Sequence, residues 1–272
     1  MPSFFRRRAA PKLGQHLLTS GDVARQVAVA ADAQKGDTVL EIGPGTGMLT
    51  RELLLKGVRV VAVEKDQEML AALRGMFPRE IETGTLALVE GDARELLSPF
   101  SFSLATYKVV ANIPYYITGE LLRLFLTARP QPEAVALLVQ REVAERIVRS
   151  KKESLLSLSV KAYGMPRYVR TVKAGSFNPP PKVDSAILSI SDISRRHFSS
   201  VSEDSFFGLI RIGFGQKRKT LKGNLKRSGR FESAAVERGF VKTGLADDVR
   251  AEDVPLETWF SLAESLQSRE AA

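Results

Sequence analysis

The segment Ala-Asn-Ile-Pro-Tyr-Tyr, residues 111–116, holds residue types that could bind a planar amine. The side-chain oxygen of Asn112 can accept one amine hydrogen, and the carbonyl of Ile113, held by the fixed φ of Pro114, can accept a second. Tyr115 can stack on an aromatic base. Taken alone, the same six residues also fit a strand that ends at a proline beside a buried aromatic side chain. The neighbouring elements decide between these two interpretations.

A glycine-rich turn follows the first strongly apolar run of the chain. Its pattern is E-x-G-x-G-x-G, and Met48 stands where a dinucleotide fingerprint would need its third glycine. No lysine follows to bind phosphates, which argues against a P-loop. The turn lets a ligand approach the backbone closely, and an acidic residue stands just before it. This combination suits a ligand with a cationic amino-acid end and a nucleoside end, such as S-adenosylmethionine. The residues predicted to bind it here are Glu41, Gly43, Gly45 and Gly47.

Two further acids follow the next two apolar runs. Glu64 ends the strand predicted at 58–64, and Asp92 ends the one predicted at 85–92. Each acid alone also fits a solvated strand end or a helix cap. Because ligands bind at the carboxyl ends of the strands in open α/β sheets, Glu64 is expected to accept from ribose hydroxyls and Asp92 from an adenine amino group. Asn112 ends the fourth strand, which places the amine-binding segment beside the methyl donor.

Alternating apolar runs and helical repeats predict an α/β fold with a Rossmann-like, mostly parallel sheet and an antiparallel edge. Residues 1–193 are expected to form the S-adenosylmethionine-binding catalytic domain. The polar, serine-rich stretch 194–204 is expected to be a linker. Only helical patterns follow, which predicts a small, basic, all-helical domain over 205–272. The predicted strands are 37–42, 58–64, 85–92, 107–112 and 133–140, with an antiparallel pair at 167–174 and 183–191.

Composition excludes several classes of site. The 272 residues include no cysteine and two histidines, which excludes disulfides and thiolate chemistry and argues against a multi-histidine metal site. No apolar run is long enough for a membrane span, so a cytoplasmic protein is expected. The net charge of +9 favours a polyanionic partner. One basic cluster, near the start of the sequence, comprises Arg6, Arg7, Arg8 and Lys12. The basic residues of the second domain that are expected to bind such a partner are Arg211, Lys217, Arg218, Lys219, Lys222, Lys226 and Arg227.

These motifs together resemble the KsgA family of small-subunit rRNA adenine dimethyltransferases. The segments that carry the resemblance are KLGQHLL, EIGPGTG, VEKD, EGDA, NIPYYIT, VQREVAER, FNPPPKVDSAI and FGQKRKTL, in that order from about residue 12 to 227. The resemblance implies a class I methyltransferase that uses S-adenosylmethionine to dimethylate N6 of two adjacent adenosines near the 3′ end of 16S-type rRNA. It also implies an immature small ribosomal subunit as partner and a role in ribosome assembly, and we expect a monomer.

The resemblance adds three residues to the predicted site. His16 and Leu18 would contact the donor, and Phe177 would sandwich the flipped base opposite Tyr115. Phe177 alone would otherwise be interpreted as a core residue before a rigid proline turn. The chain departs from the family pattern at two positions: Tyr116 stands where many members have Asn or Gln, and His16 where many have Asn.

Three alternatives remain open from the sequence. A macrolide-resistance methyltransferase acting on 23S rRNA shares the fold and the Asn-x-Pro-Tyr motif, although the FNPPPKV and FGQKRKTL segments favour the small-subunit enzyme. An RNA-binding assembly or transcription factor of the same fold could lack activity, but the intact acidic and glycine set argues against that. A small-molecule N-methyltransferase would leave the basic second domain without a purpose.

Overall fold

Seven strands form one sheet in a computed structural model that describes residues 16–96 and 105–267. Their order across the sheet is β4-β3-β2-β5-β6-β9-β7. Strands β2 to β6 run parallel to one another, and β9 runs antiparallel to β6. The predicted mixed sheet is therefore confirmed. The strands are β2 (Thr38–Ile42), β3 (Arg59–Glu64), β4 (Leu86–Glu90), β5 (Lys108–Asn112), β6 (Val135–Gln140), β7 (Met165–Val172) and β9 (Ser185–Ser191).

Helices alternate with the parallel strands, as the hydrophobic periodicity predicts. Two of the first helices begin at side-chain caps: Ser20 accepts from the backbone N–H of Val23, and Asp66 accepts from those of Glu68 and Met69. The helices are α1 (Gly21–Ala30), α2 (Met48–Leu55), α3 (Gln67–Met76), α4 (Pro78–Glu82), α5 (Ala93–Leu96), α6 (Thr118–Thr127), α7 (Arg141–Val148), α8 (Leu155–Lys161), α9 (Glu203–Gly213), α10 (Leu221–Arg227), α11 (Ser233–Thr243) and α12 (Leu256–Gln267).

A two-stranded sheet that the sequence did not predict joins β1 (Leu17–Leu18) to β8 (Phe177–Asn178). The strands are antiparallel, and Leu18 pairs with Phe177. Thr19 extends the connection, since its backbone N–H and its hydroxyl both donate to the carbonyl of Ser176. Two-residue strands carry no periodic signal, and their partners are about 160 residues apart, so sequence patterns do not reveal this pairing.

The chain divides into two compact units. The first comprises residues 1–144 and 167–193, and the second 145–166 and 194–272. This division differs from the boundaries drawn on the sequence, which placed 145–166 in the catalytic domain. The first unit buries the two faces of its sheet beneath helices, with residues such as Val39, Val110 and Leu138 wholly inaccessible.

Residues 194–204, expected to be a linker, are part of the second unit's core. Val201 is buried, and Phe198 packs its ring against those of Tyr163, Phe206 and Phe260. The Arg195 guanidinium bonds the Glu203 carboxylate at 2.6 Å. The serine-rich composition of this segment favoured a linker although it contains two apolar side chains, Phe198 and Val201. Burying each of them contributes roughly 1.5–3 kcal/mol, which is enough to hold a short segment against the second unit's core.

We predict that Gly47→Ala destabilises the first unit strongly. Gly47 has φ +73°, and a Cβ there would lie 2.8 Å from Cε2 of Phe77. The left-handed backbone costs roughly 1–2 kcal/mol for an L-residue, and overpacking adds about 1–3 kcal/mol. Gly84→Ala is the matched control, because Gly84 has φ +72° and its added Cβ meets nothing within 4 Å. Urea unfolding should show a larger loss for Gly47→Ala; equal losses would contradict the packing explanation.

Candidate active site

A cleft with an empty volume of about 740 Å³ lies at the carboxyl ends of the central parallel strands. Ligands of open α/β sheets bind at this edge. Loops that follow β2, β3, β4 and β5 contribute to its wall, as does the chain leading into β1. Eight of the residues selected from the sequence line it: His16, Gly43, Gly45, Glu64, Asp92, Asn112, Ile113 and Pro114.

The glycine turn between β2 and α2 is shaped to admit a ligand. Gly45 has φ +52°, and a Cβ there would lie 3.0 Å from Cδ2 of Leu17. A side chain at this position would therefore strain the backbone and fill the cleft wall. The backbone N–H of Gly45 donates to Oε2 of Glu64 at 3.3 Å. The turn and the acid at the end of the next strand form one connected surface.

Glu64 is held rigidly at the end of β3. Its Oε1 accepts from the backbone N–H groups of Lys65 (2.9 Å) and Asp66 (3.0 Å), in addition to the Gly45 bond to Oε2. The residue is only 6% exposed. A carboxylate has about four lone-pair sites, so one remains for a ligand hydroxyl. This geometry fits the expected contact with a ribose.

Asp92 carries a partner that the sequence did not identify. Nε and Nη2 of Arg94 donate to its two oxygens at 3.0 and 2.6 Å, and the backbone N–H of Arg94 donates to Oδ1 at 3.0 Å. The hydrogen bonds from the Arg94 side chain lower the pKa of Asp92 to about 2, so the carboxylate is ionised at neutral pH. Arg94 lies in the cleft wall with Asp92, and a ligand amino group there would share this carboxylate.

The side-chain amide of Asn112 is oriented by the chain leading into β1. Its Nδ2 donates to the backbone carbonyl of His16 at 3.1 Å, which leaves Oδ1 as the acceptor for a ligand. His16 is fixed in turn, because its Nδ1 donates to the carbonyl of Pro179 at 2.9 Å. The sequence singled out both Asn112 and His16, and the structure brings them together.

Tyr115 follows in a short turn at Tyr115–Ile117. Its hydroxyl is hydrogen-bonded to Oγ of Ser185, and its ring centroid lies 5.7 Å from that of His16 at an interplanar angle of 34°. Burial raises the pKa of Tyr115, so the phenol keeps its proton. Tyr116, by contrast, is 73% exposed and lines the cleft. The Ser185 partner is a second residue that sequence reasoning missed.

Five predicted site residues do not line the cleft: Tyr115, which is half-buried, and four that lie in the core behind the cleft wall. In an extended strand successive side chains face opposite sides, so Leu17 lines the cleft while Leu18 packs into the core. Phe177 is 3% exposed within the same core, so its role as a base-stacking partner stays a prediction. The remaining two are Glu41, which is buried in β2, and Gly47, whose Cα faces Phe77.

Glu41 has an environment that disfavours a negative charge. The residue is 1% exposed; Oε2 accepts from the Thr50 hydroxyl at 2.7 Å, and Oε1 has no partner among the described residues. Burial, aided by the nearby negative charge of Glu64, raises the pKa of Glu41 to about 8. The predicted contact of Glu41 with a cationic ligand end stays a prediction, because this buried carboxyl is bonded to Thr50 of α2 and does not line the cleft.

Comparison with known proteins decides the family. The model of the ribosomal RNA adenine dimethylase family matches residues 6–268. The chain belongs to this family. The adenine dimethyltransferase activity and the S-adenosylmethionine donor that the sequence predicted are those of the family, and the cleft fits that donor through its glycine turn and its two acids. No helix among the described residues is long and apolar enough to cross a membrane.

Curated relatives cover nearly the whole chain. A "ribosomal RNA small subunit methyltransferase A" from Dehalococcoides mccartyi is 40% identical over 94% of this chain and 87% of its own. One from Thermosynechococcus vestitus is 38% identical over 96% of this chain and 97% of its own. Among solved structures, a dimethyladenosine transferase from Plasmodium falciparum has a TM-score of 0.76 at 28% identity, covering 91% of this chain and 96% of its own.

The 23S rRNA methyltransferase ErmE is a further structural neighbour. Its TM-score is 0.71 at 24% identity, with 93% of this chain and 100% of its own covered. At this identity the likeness shows the fold alone. It confirms the predicted class I methyltransferase fold.

We predict that Glu41→Gln changes how stability depends on pH. Folding favours the protonated form of Glu41, because it raises the pKa of this carboxyl from 4.5 to about 8. The wild-type protein should therefore lose stability as the pH rises through this interval. The slope is at most about 1.4 kcal/mol per pH unit. Glutamine cannot ionise and should remove this contribution. Thermal unfolding from pH 5 to 9 checks it, with Glu68→Gln on the exposed surface as control; parallel curves for Glu41→Gln and wild type would contradict it.

Proposed function

We propose that this enzyme dimethylates N6 of two adjacent adenosines near the 3′ end of 16S-type rRNA in the immature small ribosomal subunit. The observation that carries the proposal is the oriented amide of Asn112 in the same cleft as Glu64 and Asp92. It places an amine acceptor beside a nucleoside-binding surface. The small-subunit substrate is supported by the names of relatives that match nearly the whole chain.

The residues of the cleft divide into two groups in this proposal. The glycine turn, Glu64 and Asp92 hold the methyl donor: Glu64 accepts from a ribose hydroxyl, and Asp92 accepts from the adenine amino group while it stays bonded to Arg94. When bound, S-adenosylmethionine supplies an electrophilic methyl group. Asn112, Ile113 and Tyr115 hold the target base, which must leave its stack at a cost of a few kcal/mol.

The chemistry required of the protein is positioning. The lone pair of an adenine amino group is delocalised into the ring, so the amine is a weak nucleophile. Oδ1 of Asn112 and the carbonyl of Ile113 each accept one N6 hydrogen, which favours the pyramidal geometry that attack requires. Orientation of this kind contributes several kcal/mol to a displacement. The N6–carbon bond would form as the methyl–sulfur bond of the bound donor breaks, the donor's sulfur would leave as a neutral thioether, and N6 would release one proton to solvent. With a fresh donor a second methylation would follow, in which the one N6 hydrogen that remains is accepted by Asn112 or by Ile113.

We further propose that the enzyme acts as a monomer. A small-subunit substrate also supports action in the cytoplasm, where such particles are assembled. The N-terminal basic cluster, Arg6 to Arg8 and Lys12, lies outside the described residues.

The proposed RNA-binding residues of the second unit divide into two sets. Nζ of Lys222 bonds Asp247 at 2.7 Å, and both Lys222 and Lys226 form ion pairs with Glu237. These charges are neutralised within the unit. The turn between α9 and α10 instead exposes its cations. The exposed basic residues of the set are Arg211, Lys217, Arg218, Lys219 and Arg227. We assign phosphate binding to this exposed set.

We predict that the purified protein transfers methyl groups from S-adenosylmethionine to small subunits that lack the dimethylation, and that Asn112→Ala abolishes transfer. The alanine variant loses an acceptor, but the amide forms one half-buried hydrogen bond, so the fold should survive at a cost of about 1 kcal/mol. Scintillation counting of transferred label and circular dichroism check both parts. Equal or better transfer to naked 23S rRNA would overturn the substrate assignment, and an active Asn112→Ala enzyme would overturn the amide's role.

We further predict that charge reversal at Lys217, Arg218 and Lys219 weakens binding to the small subunit. For every phosphate that the variant no longer binds, the slope of log affinity against log salt should fall by about one unit. Filter binding at several salt concentrations measures the slope. Reversal of the exposed Arg59, Arg74 and Arg79 in the first unit makes the same change in net charge and serves as control. Identical slopes for both triple variants would mean that only overall charge matters.

A further inference from the structure

A buried serine is bonded to the aromatic side chain that the proposed function assigns to the target base. Ser185 is the first residue of β9 and is wholly inaccessible to solvent. Its hydroxyl is hydrogen-bonded to the hydroxyl of Tyr115, which lies 70 positions earlier in the chain. A buried hydroxyl left without a partner costs about 1–3 kcal/mol, so this bond persists while Ser185 stays buried.

The backbone that carries Ser185 is rigidly supported. Ser185 pairs with Gln140 at the end of the antiparallel β6–β9 ladder. The preceding residue, Asp184, accepts from the backbone N–H of Arg141 at 3.0 Å through its carbonyl. Its carboxylate accepts from Nζ of Lys173 at 2.9 Å and from the backbone N–H of Ala174 at 3.3 Å. Ser185 is therefore a fixed point to which a more mobile group can be anchored.

Tyr115 needs such an anchor. It lies in a single short turn after the proline of the Asn-x-Pro-Tyr segment. Its ring is in contact with the His16 ring along one side, at 5.7 Å and 34°, and the Ser185 bond holds the opposite, hydroxyl end. A tyrosine ring rotates about two torsions. The bond at its hydroxyl end restricts the first, and the neighbouring His16 ring limits the second, because the hydroxyl oxygen lies on the axis of that rotation.

We propose that Ser185 is a positioning residue for adenine methylation: it holds the Tyr115 ring in place beside His16 so that a stacked base presents N6 to Asn112. The proposal rests on the proposed function and extends it to a residue on the antiparallel strand. In this arrangement the Tyr115 hydroxyl is bonded to Ser185, and no role in proton transfer or in binding RNA is assigned to it.

The experiment compares Ser185→Ala, Tyr115→Phe and the double variant in single-turnover and steady-state methyl transfer to undermethylated small subunits. Each single change removes the same hydrogen bond but keeps the aromatic ring. We expect kcat to fall about tenfold in each, the rate equivalent of one neutral hydrogen bond. The double variant should be no slower than either single one, because the two groups act as a unit. KM for the subunit and Kd for S-adenosylmethionine should stay unchanged, because the phosphate and donor contacts remain.

Ser189→Ala is the matched control. Ser189 lies on the same strand, is 4% exposed, and donates to the carbonyl of Ala30 at 2.7 Å. Its removal also breaks a buried hydrogen bond, but one that does not reach Tyr115, so its kcat should equal that of the wild type. Ser185→Thr restores a hydroxyl and should recover most of the wild-type kcat.

Three results would overturn the proposal: wild-type kcat in Ser185→Ala or in Tyr115→Phe, additive reductions in the double variant, or an equal reduction in Ser189→Ala. If Ser185→Ala does not fold, Tyr115→Phe reports on the same bond, and full activity in that variant contradicts the proposal. A wild-type protein that binds S-adenosylmethionine but methylates no small subunit would instead contradict the proposed function, which keeps the two failures distinct.

Discussion

The parallel alignment of β2, β3, β4 and β5 is the constraint on which the whole site depends. Because these strands run in one direction, their carboxyl ends lie along one edge, and each delivers a different polar group there. The hydrogen-bond ladder continues past the strands: the backbone N–H of Gly43 donates to Val63, and that of Gly91 donates to Glu64, both at 3.0 Å. Main-chain bonds therefore set the spacing of the ligand-binding groups before any side chain is considered.

A second layer of order comes from the chain segments that cross this edge. His16 accepts from the Asn112 amide through its carbonyl and donates to Pro179 through its ring, and the residues next to it pair with β8. One short extended segment thus joins the acceptor amide to the region around Phe177. The proposed amine acceptor and the proposed aromatic partner are consequently held by the same few residues, and displacement of one would disturb the other.

The sequence predicted the succession of strands and helices along the chain, because most of these elements have a strong local signal: an apolar run, a cap or a glycine. It also placed Asn112, Glu64 and Asp92 in one cleft, since strand direction alone decides that. It could not predict Arg94 on Asp92 or Ser185 on Tyr115, because such contacts depend on side-chain rotamers and on pairing between distant strands. The burial of Glu41, and so its protonation, could not be predicted for a related reason: it is a property of the folded chain and not of sequence position.

The second unit shows the same limit for charge. A run of basic residues without acids predicts one continuous polyanion-binding surface. Two acids that follow the run in the chain nevertheless neutralise part of it: Glu237 pairs with Lys222 and Lys226, and Asp247 pairs with Lys222. A charge already paired gains little from a phosphate, because binding would exchange one ion pair for another. The exposed turn of Lys217, Arg218 and Lys219 forms no such ion pair within the part of the chain that the structure describes. Long-range attraction depends on the total charge, but stable binding to RNA depends on cations that folding leaves accessible, and these form a smaller set than composition implies.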